Sequence, residues 1–392
     1  MRLLFLTNLY PPHDLGGYEQ QCQDAVQGLR TRGHQLAVLT SRHRVPGVTD
    51  EAPGSEDVER SLWLQSDFDY YNPRRFFMRR RAEDEDNRRT LRRRIDEFRP
   101  DLIVVWGMFQ LSWDVVYHAE RWLPGRVVYY VASYWPMDVD PHRAYWQLPA
   151  RRWLTELFKK PLRRYALMQL RRENYPPTLQ FERVACCSDY VRQAMRDAGR
   201  LSHGGEVIYN GIEPAPFLEA AQENRPRTDG PLRLVYFGRL IEDKGCHTAI
   251  EALGVLRRQG LQDRVHLTVI GTGHPEYEAR LQAAAVHEGV AAQVQFAGRL
   301  ARTGIPQALK AFDVFLFTSI WPEPFGRTIV EAMLAGLAVI GSDVGGSREV
   351  LRLYDETLLF PAGDGQALAD RIVRLERDPV WRDELARKGR RL

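Results

Sequence analysis

VFLFTSIWPEPFGRTIVEAMLAGLAVIGSDVGGSREV, residues 314–350, is the stretch on which the fold turns. It opens on a short apolar run, Val314 to Thr318, the pattern of a strand buried on both faces. Trp321, Pro322 and Pro324 then break the chain. Arg327 to Leu334 reads as a helix, and Gly336 suits the left-handed position just past a helix end. Ala338 to Ser342 is a second buried strand. Strand, short helix and strand make a parallel α/β unit.

Two carboxylates stand eight residues apart in this stretch, Glu323 in the loop and Glu331 on the helix. A fully helical interval would separate them by about 12 Å along the axis. That is roughly the span from the sugar of a nucleotide-diphosphate sugar, across its phosphates, to the ribose. Between them Phe325, Gly326 and Arg327 place backbone N–H groups at a helix N-terminus, a seat for phosphate. A carboxylate accepts hydrogen bonds from two vicinal hydroxyls, so one acid suits the sugar and the other the ribose. For an isolated pair, a capping acid and a solvated helix Glu is the simpler reading.

The pair is not isolated. E-x7-E in the form EPFGRTIVEAMLAG, followed by VIGSDVGGSREV, resembles the retaining glycosyltransferases of the GT4 type. The resemblance implies an α/β protein of the GT-B fold, two Rossmann-like βαβ domains facing each other across a deep cleft. It also implies that Glu323, followed by Pro324, contacts the donor sugar beside the reacting carbon, and that Glu331 binds the ribose hydroxyls.

At 392 residues the chain is long enough for two domains, each with its own core. A formal net charge of +4 makes no global demand for nucleic acid. Cys22, Cys186, Cys187 and Cys246 form no zinc or C-x-x-C spacing, and read as reduced, buried thiols of a cytosolic protein. MRLLFLTN is a strand soon broken by Pro11 and Pro12, too short for a signal peptide, and no apolar run reaches membrane-spanning length. The expected location is cytoplasmic, with peripheral contact at the inner membrane face as an open alternative.

In chain order, Arg2 to Asn8 is a strand, Tyr18 to Arg32 a helix and Gln35 to Ser41 a strand. The G-x-G-x-x-G of a dinucleotide-binding enzyme is missing between the first two, which disfavours an NAD-dependent oxidoreductase. Gly16 and Gly17 at the helix start allow close approach to an anion, and they match the glycine loop that faces the donor phosphates in the resembled family. The arginine-rich stretch 73–99 interleaves acids at helical spacing, the mark of a solvated helix face rather than an RNA site. Asp101 to Gly107, Arg126 to Ser133, Arg183 to Ser188 and Val207 to Gly211 are further strands.

From Arg143 to Arg172 there are nine basic residues and one acid, Glu156, with Tyr145, Trp146, Trp153, Leu154, Phe158, Leu162 and Tyr165 interleaved. Three readings stand: a segment lying on an anionic membrane surface, an amphipathic helix packed on its own domain, or a lining for the acceptor. Asp138 and Asp140 make a D-x-D pattern, discounted as a metal site because the resembled family needs no metal there; no cofactor is expected.

The composition places an amino-terminal domain at 1–211, a Pro- and Ala-rich linker at 212–231 and a carboxyl-terminal domain at 232–392. In the latter, LRLVYFGRLIEDKG is a strand ending at Gly238, followed by Arg239 and Lys244 with Gly245 opening a helix. Two cations beside a helix start, at a strand's carboxyl end, suit a diphosphate. The spacing matches the diphosphate clamp of the resembled family. Gly271 and Gly273 end the next strand; Gly298, with Arg299 after it, ends the third, and in the family these loops line the nucleotide. Packing alone is a poor explanation for three strands in succession ending in glycine.

The resemblance implies transfer of a hexosyl group from a UDP- or GDP-sugar to a hydroxyl of a glycan, lipid-linked or small-molecule acceptor, with the anomeric configuration retained. Catalytic roles fall to Glu323, Arg239 and Lys244. Relatives often carry His-Asp where this chain has Ala132 and Ser133, so an inactive membrane-associated scaffold and a nucleotide-sugar epimerase of the same fold stay open. The chain ends at Leu392 in a basic helical stretch, where the family usually continues with a helix back onto the first domain.

Overall fold

The computed structural model describes residues 1–49, 57–68, 70–150, 152–201, 204–222 and 230–392. The chain divides into two units: Met1–Cys187 with Val191–Tyr209, and Ser188–Tyr190 with Asn210–Leu392.

The first unit runs β1 (Arg2–Thr7), α1 (Gly17–Thr31), β2 (Gln35–Ser41), β3 (Asp57–Leu62), α2 (Pro73–Met78), α3 (Arg80–Phe98), β4 (Leu102–Gly107) and α4 (Trp113–Trp122). It continues with β5 (Val127–Val131), α5 (Pro141–Gln147), α6 (Trp153–Arg172), β6 (Arg183–Cys186), α7 (Asp189–Asp197) and β7 (Glu206–Val207). Among the described residues its sheet has the order β3-β2-β1-β4-β5-β6-β7, every pair parallel. Chain direction across the sheet reverses between β1 and β4, where such sheets open a crevice.

β3 is an element that the sequence pattern does not announce. It is a polar edge strand, DVERSL, and edge strands of that kind carry no hydrophobic alternation to read. Its Arg60 donates to the carbonyls of Tyr10 (2.9 Å) and Pro11 (2.5 Å), fixing the loop that leads to Gly16. The arginine-rich stretch behaves as its charge pattern predicts: along α3, Arg89, Arg92 and Arg93 pair with Glu85, Asp96 and Glu97 one turn away.

The second unit runs α8 (Ala215–Gln222), β8 (Leu232–Phe237), α9 (Cys246–Arg258), β9 (Val265–Ile270), α10 (Pro275–His287), β10 (Val294–Gly298), α11 (Ile305–Leu309) and β11 (Val314–Phe317). α12 (Arg327–Leu334), β12 (Ala338–Ser342), α13 (Ser347–Asp355), β13 (Leu359–Phe360), α14 (Gly365–Arg377) and α15 (Pro379–Gly389) complete it. The parallel sheet has the order β10-β9-β8-β11-β12-β13, with the reversal between β8 and β11. Leu234, Val235, Phe315, Leu316, Val339 and Ile340 are buried in its core, as their unbroken apolar runs require.

Part of the expected linker is structured. Residues 215–222 form α8, and Phe217 is buried in the core of the second unit, because an apolar face within an Ala-rich run folds once it has a partner to cover it. Residues 223–229 of that stretch lie outside the described residues. The four cysteines are buried and unbridged.

Candidate active site

The reversal point of the second sheet assembles the site. The segment after β8 carries Gly238, Arg239 and Lys244; the segment after the neighbouring strand β11 carries Ser319 and Glu323. The two exits are laced together through the backbone. Asp243 offers its carbonyl to the N–H groups of Ile320 (2.9 Å) and Trp321 (3.2 Å), and the Thr318 hydroxyl donates to the Lys244 carbonyl (3.1 Å). Gly245, at φ 63°, lies so close to β11's exit that a Cβ there would fall 2.0 Å from the Thr318 carbonyl oxygen.

This lacing puts the Lys244 ammonium on the Glu323 carboxylate as an ion pair. The Glu323 side chain is 9% exposed and that of Lys244 25%, so the pair is screened by little water. Ser319 Oγ lies 2.9 Å from the same carboxylate oxygen. The backbone of Glu323 is held as firmly. Gly346 N–H donates to its carbonyl (2.7 Å), and Gly345, at φ 52°, passes so near that a Cβ would sit 2.2 Å from that oxygen.

Arg239, five residues before Lys244 in the same segment, is exposed. Its carbonyl accepts from the Tyr236 hydroxyl (2.9 Å), which burial holds far above the ordinary phenol range, with the Glu323 charge adding to the effect and Arg239 opposing it. Glu331 lies within α12 and is paired with Arg327 one turn before it (Nε to carboxylate 3.1 Å), both side chains largely buried. Phe325 is buried, and Gly326 caps α12 in the left-handed region. Both acids of the E-x7-E pattern are therefore held by a cation in this state.

The glycines divide. A Cβ at Gly271 would meet the Gly238 carbonyl at 1.9 Å, and one at Gly273 the Leu240 carbonyl at 1.9 Å. Packing of β8's exit against β9's is thus reason enough for those two, contrary to the expectation that packing explains them poorly. Among the described residues nothing stands within 4 Å of a Cβ at Gly298, which is at φ 70°, and Arg299 after it is exposed. Gly16 and Gly17 begin α1 in the first unit, with open space around a Cβ at Gly16.

Asp140 of the D-x-D pattern is a helix cap. Its carboxylate accepts from the N–H groups of His142 (3.0 Å) and Arg143 (3.1 Å), and from Gln65 (2.7 Å). Among the described residues no group of three or more His, Cys, Asp or Glu is placed to hold a metal ion. Sequence reasoning assigns no role to Ser319, Gly345 or Gly346, although the last two lie in the VGG that belongs to the recognised pattern. Ser319 carries no signal: a serine after a strand is ordinary.

Residues 15–215, more than half of the chain, match the family described as Glycosyltransferase Family 4. The chain belongs to Glycosyltransferase Family 4. Residues 219–392 of this glycosyltransferase match Glycosyl transferases group 1. It is 36% identical over 205 residues to the phosphatidyl-myo-inositol mannosyltransferase of Mycobacterium leprae, a match spanning 52% of this chain and only about half, 52%, of that relative. The glycogen synthase of Mycobacterium tuberculosis is 27% identical over 403 residues, covering 100% of this chain and 89% of that one. Among solved structures, sucrose-phosphate synthase of Thermosynechococcus elongatus aligns at TM-score 0.71 and 20% identity, covering 100% of this chain and 93% of that one. HepE of Anabaena in complex with UDP-glucose aligns at 0.66 and 23%, covering 100% and 94%. At such identities the likeness speaks for the fold, the two parallel-sheet Rossmann-like domains of GT-B glycosyltransferases.

Proposed function

We propose that this glycosyltransferase moves a hexosyl group from a UDP- or GDP-sugar to an acceptor hydroxyl, with retention at the anomeric carbon, in the cytoplasmic assembly of a polysaccharide or glycoconjugate. The observation that carries the reading is the Lys244–Glu323 pair at the sheet's reversal point, with Arg239 exposed on the segment that carries Lys244. The relatives' names, a mannosyltransferase and a glycogen synthase, and a neighbour crystallised with UDP-glucose support the donor class.

The chemistry follows from where charge grows. As the bond from the anomeric carbon to the diphosphate breaks, negative charge builds on the departing oxygen. Arg239 and Lys244 neutralise it, and the proposal includes no metal in that role. The acceptor oxygen forms the new bond on the same face, and its proton passes to the departing phosphate. Arrival of the diphosphate draws Lys244 away from Glu323, freeing that carboxylate for the sugar hydroxyls, while Glu331 takes the ribose. Gly16 and Gly17 are assigned to the phosphates, and Gly298 with Arg299 to the nucleotide.

The test is a thermal-shift panel of UDP, GDP, ADP and their sugars, with and without EDTA, followed by NMR of the product's anomeric configuration. Strong stabilisation by one nucleotide, insensitive to EDTA and lost in Arg239→Ala, together with a retained product, is expected. No stabilisation by any of them would overturn the reading and favour an inactive scaffold, for which Ala132 and Ser133 leave room. A changed sugar nucleotide without transfer would favour an epimerase.

A further inference from the structure

Helix α6 keeps its apolar side chains on the outside. Its carboxyl half packs inward through Ala166 and Leu170, against Phe76, Trp146 and Tyr175, while the amino half reaches α5 through Lys159, which lies over the Tyr145 ring and donates to the Tyr145 carbonyl (3.0 Å). In the amino half Trp153 is 73% exposed and Phe158 75%, and Leu154, Leu157, Leu162 and Tyr165 are each at least 48% exposed. Positions 154, 158, 162 and 165 follow one another at helical spacing, with 153 and 157 beside them, so they form one stripe. The stripe continues onto α2, where Phe77 stacks on Tyr165 (centroids 6.1 Å) and Met78 is 81% exposed. A single protruding leucine needs no explanation, but a stripe of this length across two helices does.

The surround is cationic. Arg74, Arg79, Arg152, Lys160, Arg164 and Arg171 are exposed on the same two helices and their caps. The two acids there are already engaged, Glu156 by Arg163 (2.9 Å) and the Ala150 N–H (2.6 Å), and the cap residue Glu173 by Arg80 and Arg81, so neither answers the exposed cations. Among the described residues the domain itself does not cover this face of the amino half of α6.

We propose that this face docks on an anionic bilayer surface, Trp153, Leu157 and Phe158 entering the headgroup boundary and the basic fringe meeting lipid phosphates. The charge selects this occupant over a second copy of the chain. A two-fold interface would press the basic fringe against itself, whereas anionic headgroups complement it. A bilayer also accepts a stripe of bulky side chains without requiring a shaped pocket.

The experiment is flotation of the full chain with vesicles of phosphatidylcholine alone or with roughly one-third phosphatidylglycerol. Binding is expected to the anionic vesicles only and to weaken with added salt. Leu157→Ser with Phe158→Ser should reduce partitioning at least about tenfold. The thermal midpoint should hold, since both side chains face water. Absence of anionic-vesicle binding, or equal binding by the double variant, overturns the proposal. So does light scattering that finds a dimer dissolved by the same substitutions without any vesicle binding, because the face would then belong to an interface between copies.

Discussion

Lys244 and Glu323 are 79 residues apart in sequence and ion-paired in space, across the adjacent exits of β8 and β11. A cation suited to the diphosphate is thus neutralised by the acid suited to the sugar. On the proposed assignment the carboxylate competes with the ligand for the ammonium, and the pair opens before both ends of a donor are held.

Glu323→Gln therefore has two effects of opposite sense. Turnover should fall about 100-fold or more, as for removal of a group acting on developing charge. Affinity for the bare nucleoside diphosphate should stay level or rise, because the Lys244 ammonium is released. Initial rates and calorimetric titration read the two separately; a variant that binds the diphosphate more weakly contradicts the competition.

Lys244→Gln and Arg239→Ala should erase the preference for a nucleoside diphosphate over the monophosphate. Removing one charge-assisted hydrogen bond to the phosphate corresponds to about tenfold or more in Kd. The ratio of the two dissociation constants is the measurement, and a ratio unchanged in both variants removes these cations from the phosphate site.

Gly345→Ala tests the backbone side of the same arrangement. With φ at 52° and the Glu323 carbonyl oxygen 2.2 Å from the new Cβ, the loop must shift. A cost of about 3 kcal/mol is expected, about 6–12 °C in the midpoint of a unit this size. Turnover should drop even at temperatures where the variant is folded. Wild-type melting and rate together would show that the turn does not set Glu323.

A buried polar cluster in the first unit predicts a pH dependence. Burial raises the Asp84 carboxyl to about 7 despite the opposing Arg80 charge. The native chain then holds a proton that the unfolded carboxyl, near about 4, releases. Its stabilising contribution is full below about pH 4 and is lost as pH rises to about 7, by up to about 1.4 kcal/mol per unit. Buried His142, lowered to about 3, works the other way: its contribution is lost as pH falls from about 6.5. Between about pH 4 and pH 6.5 the two slopes oppose each other, so Asp84→Asn should unmask a midpoint that rises with pH where the wild type is nearly flat. Midpoints measured across that range would settle it, a slope equal to wild type counting against the assignment.

Much of this is legible in the chain itself. β12 spans Ala338–Ser342 and α12 spans Arg327–Leu334, as the apolar runs and breaking residues require, because buried parallel strands leave no polar alternation to confuse the reading. The edge strand β3 and helix α8 are not legible, since each depends on a neighbour rather than on its own pattern. The candidate cations and acids stand out through the family resemblance that their motifs carry, since by themselves each pair has a simpler surface or capping reading.

What the sequence determined by itself was the parallel α/β units, the family pattern and the residues of the candidate site. Only the tertiary structure decided that Lys244 holds Glu323 and Arg327 holds Glu331, that Gly271 and Gly273 serve strand packing, and that the apolar stripe of α6 faces water. Periodicity reports which residues share a face. Partners and burial depend on what the fold brings against that face, and for Lys244 and Glu323 it is the adjacency of β8 and β11, strands distant in sequence, that makes the pair.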